Sequence, residues 1–102
     1  MAVMMGLRVA ADPARFEQVV TSDPERLMGI SQRAKDHGAI SHRFYANDAG
    51  GEILVVDEWP DAESFQSFFS NSPDIAEMMA EAGVTSQPQP IFWRELDTPD
   101  KF

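Results

Sequence analysis

Three segments rich in strand-forming residues set two large apolar residues side by side: Met4-Met5, Leu54-Val55 and Phe92-Trp93. A strand with one face in water alternates apolar and polar residues, so these segments are expected to be covered on both faces. That expectation constrains the fold more than any other feature of the sequence. Whatever layer lies over one face of the sheet, something else has to lie over the other.

The order of elements says how much cover the chain can supply. Val3 to Ala11 is nearly continuous apolar, as in a central strand. Asp12-Pro13 is an N-cap followed by a proline suited to the first helical turn, and Ser22-Asp23-Pro24-Glu25 is a second start signal. Residues 13–37 are thus expected to form one helical layer, broken near 21–23 and ended by Gly38. Ala39 to Asn47 and Glu52 to Trp59 are rich in β-branched and aromatic residues. They flank Asp48-Ala49-Gly50-Gly51, which predicts a hairpin. Asp61 and Ser72-Pro73-Asp74 start the second helical layer, whose stripe is Phe65, Phe68, Phe69, Ile75, Met78 and Met79 and whose end is Gly83. Gln87 to Leu96 is expected to be the last strand, with Pro88 and Pro90 blunting its free edge, and residues 97–102 a polar tail.

The resulting order, β-α-β-β-α-β, predicts a single α+β domain over residues 1–102. It would be a ferredoxin-like βαββαβ fold with a four-stranded antiparallel sheet. Two helical layers cover one face of such a sheet. The other face would be left as a large apolar patch, for which a homodimer is the simplest cover.

Charge and composition narrow the partners. Seventeen acidic residues against eight basic ones give a net charge of −9, which opposes nucleic acid and anionic membrane surfaces. The absence of cysteine removes disulfides, thiolate metal sites and a thiol nucleophile. No stretch reaches the length of a membrane span, and Met1 to Ala11 lacks the pattern of a signal peptide, so a cytoplasmic location is expected. Two histidines on different elements do not have metal-ligand spacing. No phosphate-binding glycine loop and no Gly-x-Ser-x-Gly elbow occur.

The hairpin holds the candidate catalytic residues. Closing it on an Asp48–Gly51 pair sets His42 opposite Asp57, and a slip of one residue sets it opposite Glu58. Either way an imidazole meets a carboxylate, with Cβ atoms about 5 Å apart. A carboxylate can fix a histidine's tautomer and raise its basicity, the arrangement of a general base, and an ordinary cross-strand pair would look the same. Trp59 ends the strand, where its ring could stack on a flat ligand or simply fill the core. Phe44, Phe65, Phe69 and Met79 are the expected apolar wall around such a ligand. Ser41, Arg43 and Tyr45 alternate to the other face of their strand. Arg8 needs a carboxylate if buried, with Glu58 or Glu95 in reach. Asp61, Glu63, Asp74, Glu77 and Glu81 are expected to be a solvated helix face.

Glu52 through Phe69, EILVVDEWPDAESFQSFF, resembles the strand–tryptophan–acidic-cap–helix segment of the antibiotic biosynthesis monooxygenase-like proteins. These belong to the dimeric α+β barrel superfamily, and the order of elements over residues 3–96 is similar to that superfamily too. The resemblance implies a dimer and a site for a small aromatic or polyketide-like compound. It also implies an activity ranging from cofactor-free monooxygenation or cyclisation to ligand binding without catalysis. Haem-degrading members hold iron through a histidine on the second helix; residues 61–82 contain none, so no cofactor is expected. Asn47 lies beside the turn and does not match the asparagine of the oxygenase members.

Overall fold

A computed structural model describes residues 2–102. Its elements are β1 (Val3–Ala10), α1 (Pro13–Ser22), α2 (Pro24–Asp36), β2 (Ser41–Ala46), β3 (Glu52–Trp59), α3 (Ala62–Ser70), α4 (Pro73–Glu81) and β4 (Ile91–Trp93). Three aspartates begin helices as the sequence predicts. The carboxylates of Asp12, Asp23 and Asp61 accept from the backbone N–H groups of Arg15, Arg26 and Ser64 at 3.3, 3.1 and 2.7 Å. Gly38 and Gly83 follow α2 and α4 at φ 102° and 86°, a conformation open to glycine, and they turn the chain back toward the sheet.

The four strands form one antiparallel sheet in the order β2-β3-β1-β4. This is the α+β ferredoxin-like arrangement. Alternation along the strands divides the residues into two sets. Met5, Leu7, Val9, Ile53, Val55 and Trp59 point under the helices and are buried with Phe16, Phe65, Phe68 and Met78. Met4, Tyr45, Leu54, Ile91 and Trp93 lie on the other face and are 37–59% exposed. The uncovered apolar face expected from the doubled residues is therefore present. Gly6 lies on it too, and the Trp93 indole rests there: a Cβ on Gly6 would come within 3.4 Å of it.

Three expectations need correction. The last strand runs over Ile91–Trp93 and not Gln87 to Leu96, because Pro88 and Pro90 have no N–H to donate and the ladder starts only beyond them. Arg8 is exposed and bonds Glu52, through Nε at 3.0 Å and Nη2 at 2.7 Å, and neither Glu58 nor Glu95. The acidic helix face is not uniformly solvated. Asp74 takes both ends of the Arg33 guanidinium at 2.9 Å, and Glu81 takes Arg26 at 2.7 and 3.3 Å. These pairs tie α2 to α4 across the layer. Residues 97–102 are exposed, with Lys101 reaching back to Glu95 at 2.6 Å.

Candidate functional site

The hairpin register is the one that closes on Asp48 and Gly51. Ala46 pairs with Ile53, Phe44 with Val55 and His42 with Asp57. His42 and Asp57 thus share the helix-facing side of the sheet, and Glu58 falls on the other. His42 Nδ1 lies 2.6 Å from Asp57 Oδ1. The second carboxylate oxygen, Oδ2, accepts the indole N–H of Trp59 at 3.1 Å. Asp57 is 6% exposed and Trp59 is fully buried, so the indole–carboxylate bond is shielded from water, while the bond to His42 is partly open at the imidazole end.

The chemistry of this relay follows from its donors and acceptors. An ionised carboxylate only accepts, so Nδ1 carries the proton and the neutral ring keeps its lone pair on Nε2. Among the described residues nothing bonds Nε2, and the His42 side chain is 41% exposed. The ring is held from the side by an edge contact with Phe44, centroids 4.7 Å apart, and Phe44 in turn meets Phe16 at 5.3 Å. A buried carboxylate with two donors, an oriented imidazole and a free ring nitrogen can together move a proton.

His42 and Asp57 open into a cavity of about 370 Å³ between the sheet and the helical layer. That size is at the small end of the range for small-molecule pockets. Met5, Leu7 and Val55 form its floor, Leu27, Ile30 and Ala34 of α2 one wall, and Phe65, Phe69, Met78 and Met79 the roof. Of the expected ligand-binding residues, Phe44, Phe65, Phe69 and Met79 therefore meet in one place. Trp59 does not. It is packed between Phe65 and Phe68, centroids 5.6 and 5.4 Å away, with its N–H spent on Asp57. Its ring is absent from the cavity lining, and its one polar atom is bonded to the carboxylate.

The α2 side of the cavity, including Lys35 and the exposed Met28, was not legible as part of a site. Leu27, Met28, Ile30 and Ala34 have the spacing of a helix stripe packed flat on a sheet. The stripe is there, but it lines the cavity together with Ile40 to Phe44 of the β2 side, and the exposed Met28 and Ile40 lie at its solvent-facing part. Ser41 and Arg43 also border it, although their side chains alternate to the other face of β2. Asn47 belongs to the turn: its side chain accepts from Ala49 N–H and donates to Glu52. Among the described residues no three His, Asp or Glu side chains gather in a way that could hold a metal ion. No helix among them is long and apolar enough to cross a membrane.

No family model matches the chain. No curated protein matches it in sequence. Solved structures do match in shape. SnoaB, a cofactor-independent oxygenase from Streptomyces nogalater, superposes with a TM-score of 0.66 at 15% identity, covering 98% of each chain. A monooxygenase from the gene ActVA-Orf6 of Streptomyces coelicolor, solved with the ligand nanaomycin D, gives 0.64 at 18% identity, covering 97% of this chain and 92% of its own. A dimeric ferredoxin-like protein from an uncultured marine organism gives 0.69 at 14% identity, covering 99% and 93%. At these identities the likeness concerns the fold. The chain has the α+β ferredoxin-like fold of the antibiotic biosynthesis monooxygenase-like proteins, as the segment from Glu52 to Phe69 implied.

Proposed function

We propose that the protein is a homodimeric small-molecule enzyme that oxygenates a flat aromatic or polyketide-like compound without a cofactor. The observation that carries this reading is the Trp59–Asp57–His42 relay opening into an apolar cavity. The fold shared with two oxygenases supports it.

In this reading the rings lie among Phe44, Phe65, Phe69 and Met79, and Nε2 of His42 takes a proton from an activated C–H of the substrate. Asp57 stabilises the imidazolium so formed. The carbanion passes an electron to molecular oxygen, and the two radicals combine into a carbon–oxygen bond. The peroxide receives the proton back from His42. Removal of the second C–H proton then breaks the O–O bond, leaving a carbonyl and, after one more proton transfer, water. One substrate CH₂ and one O₂ thus give one C=O and one H₂O. General-base catalysis of this kind is worth roughly 10²–10⁴-fold.

The test is oxygen uptake with a panel of anthrones and quinols under air. The wild type should consume oxygen with at least one of them. His42→Ala should lose at least about 100-fold, with circular dichroism unchanged. Unchanged uptake in His42→Ala would end the general-base assignment. A second reading, a dimeric module that binds such a compound without turning it over, is favoured by the 41% exposure of the His42 side chain, since a reacting carbanion is best kept from water. Binding without oxygen uptake across the panel would select it.

The dimer is proposed to form through the uncovered sheet face. Met4, Tyr45, Leu54, Ile91 and Trp93 lie together there, and monomers rarely leave such a patch in water. A second copy buries it with two-fold symmetry. The dimeric ferredoxin-like protein of the same fold supports that arrangement.

A further inference from the structure

The cavity wall carries little charge, and the charge it carries is unevenly partnered. Asp57 is the only carboxylate on it, and both of its oxygens are occupied by His42 and Trp59. Of its two permanent cations, Arg43 alternates to the opposite face of β2. Lys35 does not. It sits in the last turn of α2, on the stripe that runs through Ser31 and Ala34 along the mouth.

Lys35, Arg43 and Arg94 are the basic residues whose side chains have no partner among the described residues, and of the two that border the cavity only Lys35 is not turned to the far face of β2. Arg8, Arg26, Arg33 and Lys101 are each paired with a carboxylate, and Arg15 donates to the carbonyl of Glu81. Among the described residues the Lys35 side chain has neither a hydrogen bond nor an ion pair, although the chain holds 17 acidic residues and its backbone carbonyl accepts from Gly38. A net charge of −9 repels any anion approaching from solution. An unpaired ammonium on a cavity lining that also holds the exposed apolar side chains of Met28 and Ile40 works against that repulsion at one place. Apolar neighbours also lower the local dielectric and strengthen a pair formed there.

We infer that Lys35 is a specificity residue that selects, among flat apolar compounds, those bearing an acidic substituent such as a carboxylate or sulfonate. The rings enter the cavity toward His42 and the acid stays at the mouth on the Lys35 ammonium, whose aliphatic stem lies along the apolar rim. The inference rests on the cavity being a small-molecule site and is independent of whether His42 is catalytic. The competing role for Lys35, complementing the C-terminal end of the α2 dipole, would act on stability and on every ligand alike.

Two fluorescent probes separate these roles: anilinonaphthalene sulfonate, and N-phenylnaphthylamine, which has the same rings without the sulfonate. Both should bind the wild type. Lys35→Gln should raise the Kd of the sulfonate about fivefold and Lys35→Glu about 20-fold. The neutral probe should stay within about twofold, and Lys35→Arg should restore sulfonate binding. Ala34→Trp, which fills the cavity beside Lys35, should abolish both. Equal losses for the two probes in Lys35→Gln, or no loss for either, overturns the inference, and so does binding that survives Ala34→Trp. If neither probe binds the wild type, the cavity is not a ligand site and the inference falls with it. Loss of oxygen chemistry with the probe pattern intact removes only the catalytic reading.

Discussion

Replacing Trp59 with phenylalanine separates the two jobs that the indole performs. A phenyl ring in its place retains aromatic contact with Phe65 and Phe68 but has no N–H for Asp57 Oδ2, now 3.1 Å from Nε1. Asp57 is 6% exposed, so little water can take over the bond. A lost hydrogen bond to a charged acceptor costs roughly 1.5–3 kcal/mol, and a methyl-sized void left by the smaller ring about 1 kcal/mol more. The sum, roughly 2.5–4 kcal/mol, is a large part of the 5–15 kcal/mol typical of a domain. At about 4–8 °C per kcal/mol for a chain of this length, the midpoint of thermal unfolding should fall by roughly 10–30 °C. Urea unfolding at fixed protein concentration, with the m-value checked, measures the change directly. A double-mutant cycle with Asp57→Ala isolates the bond: once the carboxylate is gone, Trp59→Phe should cost only the void. A coupling energy below about 0.5 kcal/mol would refute the claim that the indole holds the carboxylate in place.

Two further outcomes follow from the same structure. Leu54→Asp puts a charge at the centre of the uncovered sheet face. Light scattering at micromolar concentration should then report the 11.4 kDa protomer, where the wild type gives twice that mass; a wild type already at 11.4 kDa refutes the dimer. Stability should also fall in acid. The Arg33 guanidinium holds the Asp74 carboxyl below the usual carboxylate range, and Arg26 does the same for Glu81. Because both folded-state values are depressed, their contribution is complete above the unfolded values, about pH 4, and is lost as the pH falls through the folded ones. Asp74→Asn should make the decline of stability below about pH 4 shallower and should cost no more than about 1 kcal/mol at neutral pH. An unchanged acid slope would remove Asp74 from that account.

The parts of this protein legible in the sequence are those governed by short stretches of chain. Helix starts at Asp12, Asp23 and Asp61 need only a carboxylate three residues before the N–H that it accepts. The meeting of His42 with Asp57 is likewise local: the turn at 48–51 sets the register, and strand alternation then puts both on one face. The doubled apolar pairs announced a sheet greasy on both sides because side-chain direction in a strand depends on nothing but position.

What depends on separation between elements was decided by the tertiary structure. Pro88 and Pro90 read as blunting the free edge of a longer strand, but only Ile91–Trp93 pair with β1, a length set by where β1 runs. Trp59 could equally have faced a ligand or a core; the packing of α3 over β3 buried it and turned its N–H onto Asp57. The cavity is lined by residues of α2, β2, α3 and α4 that lie far apart in the sequence, and Arg26–Glu81 and Arg33–Asp74 tie α2 to α4 on its helical side. A helix stripe in sequence shows which residues face inward, and only the distance to the next layer determines whether they meet a side chain or an opening.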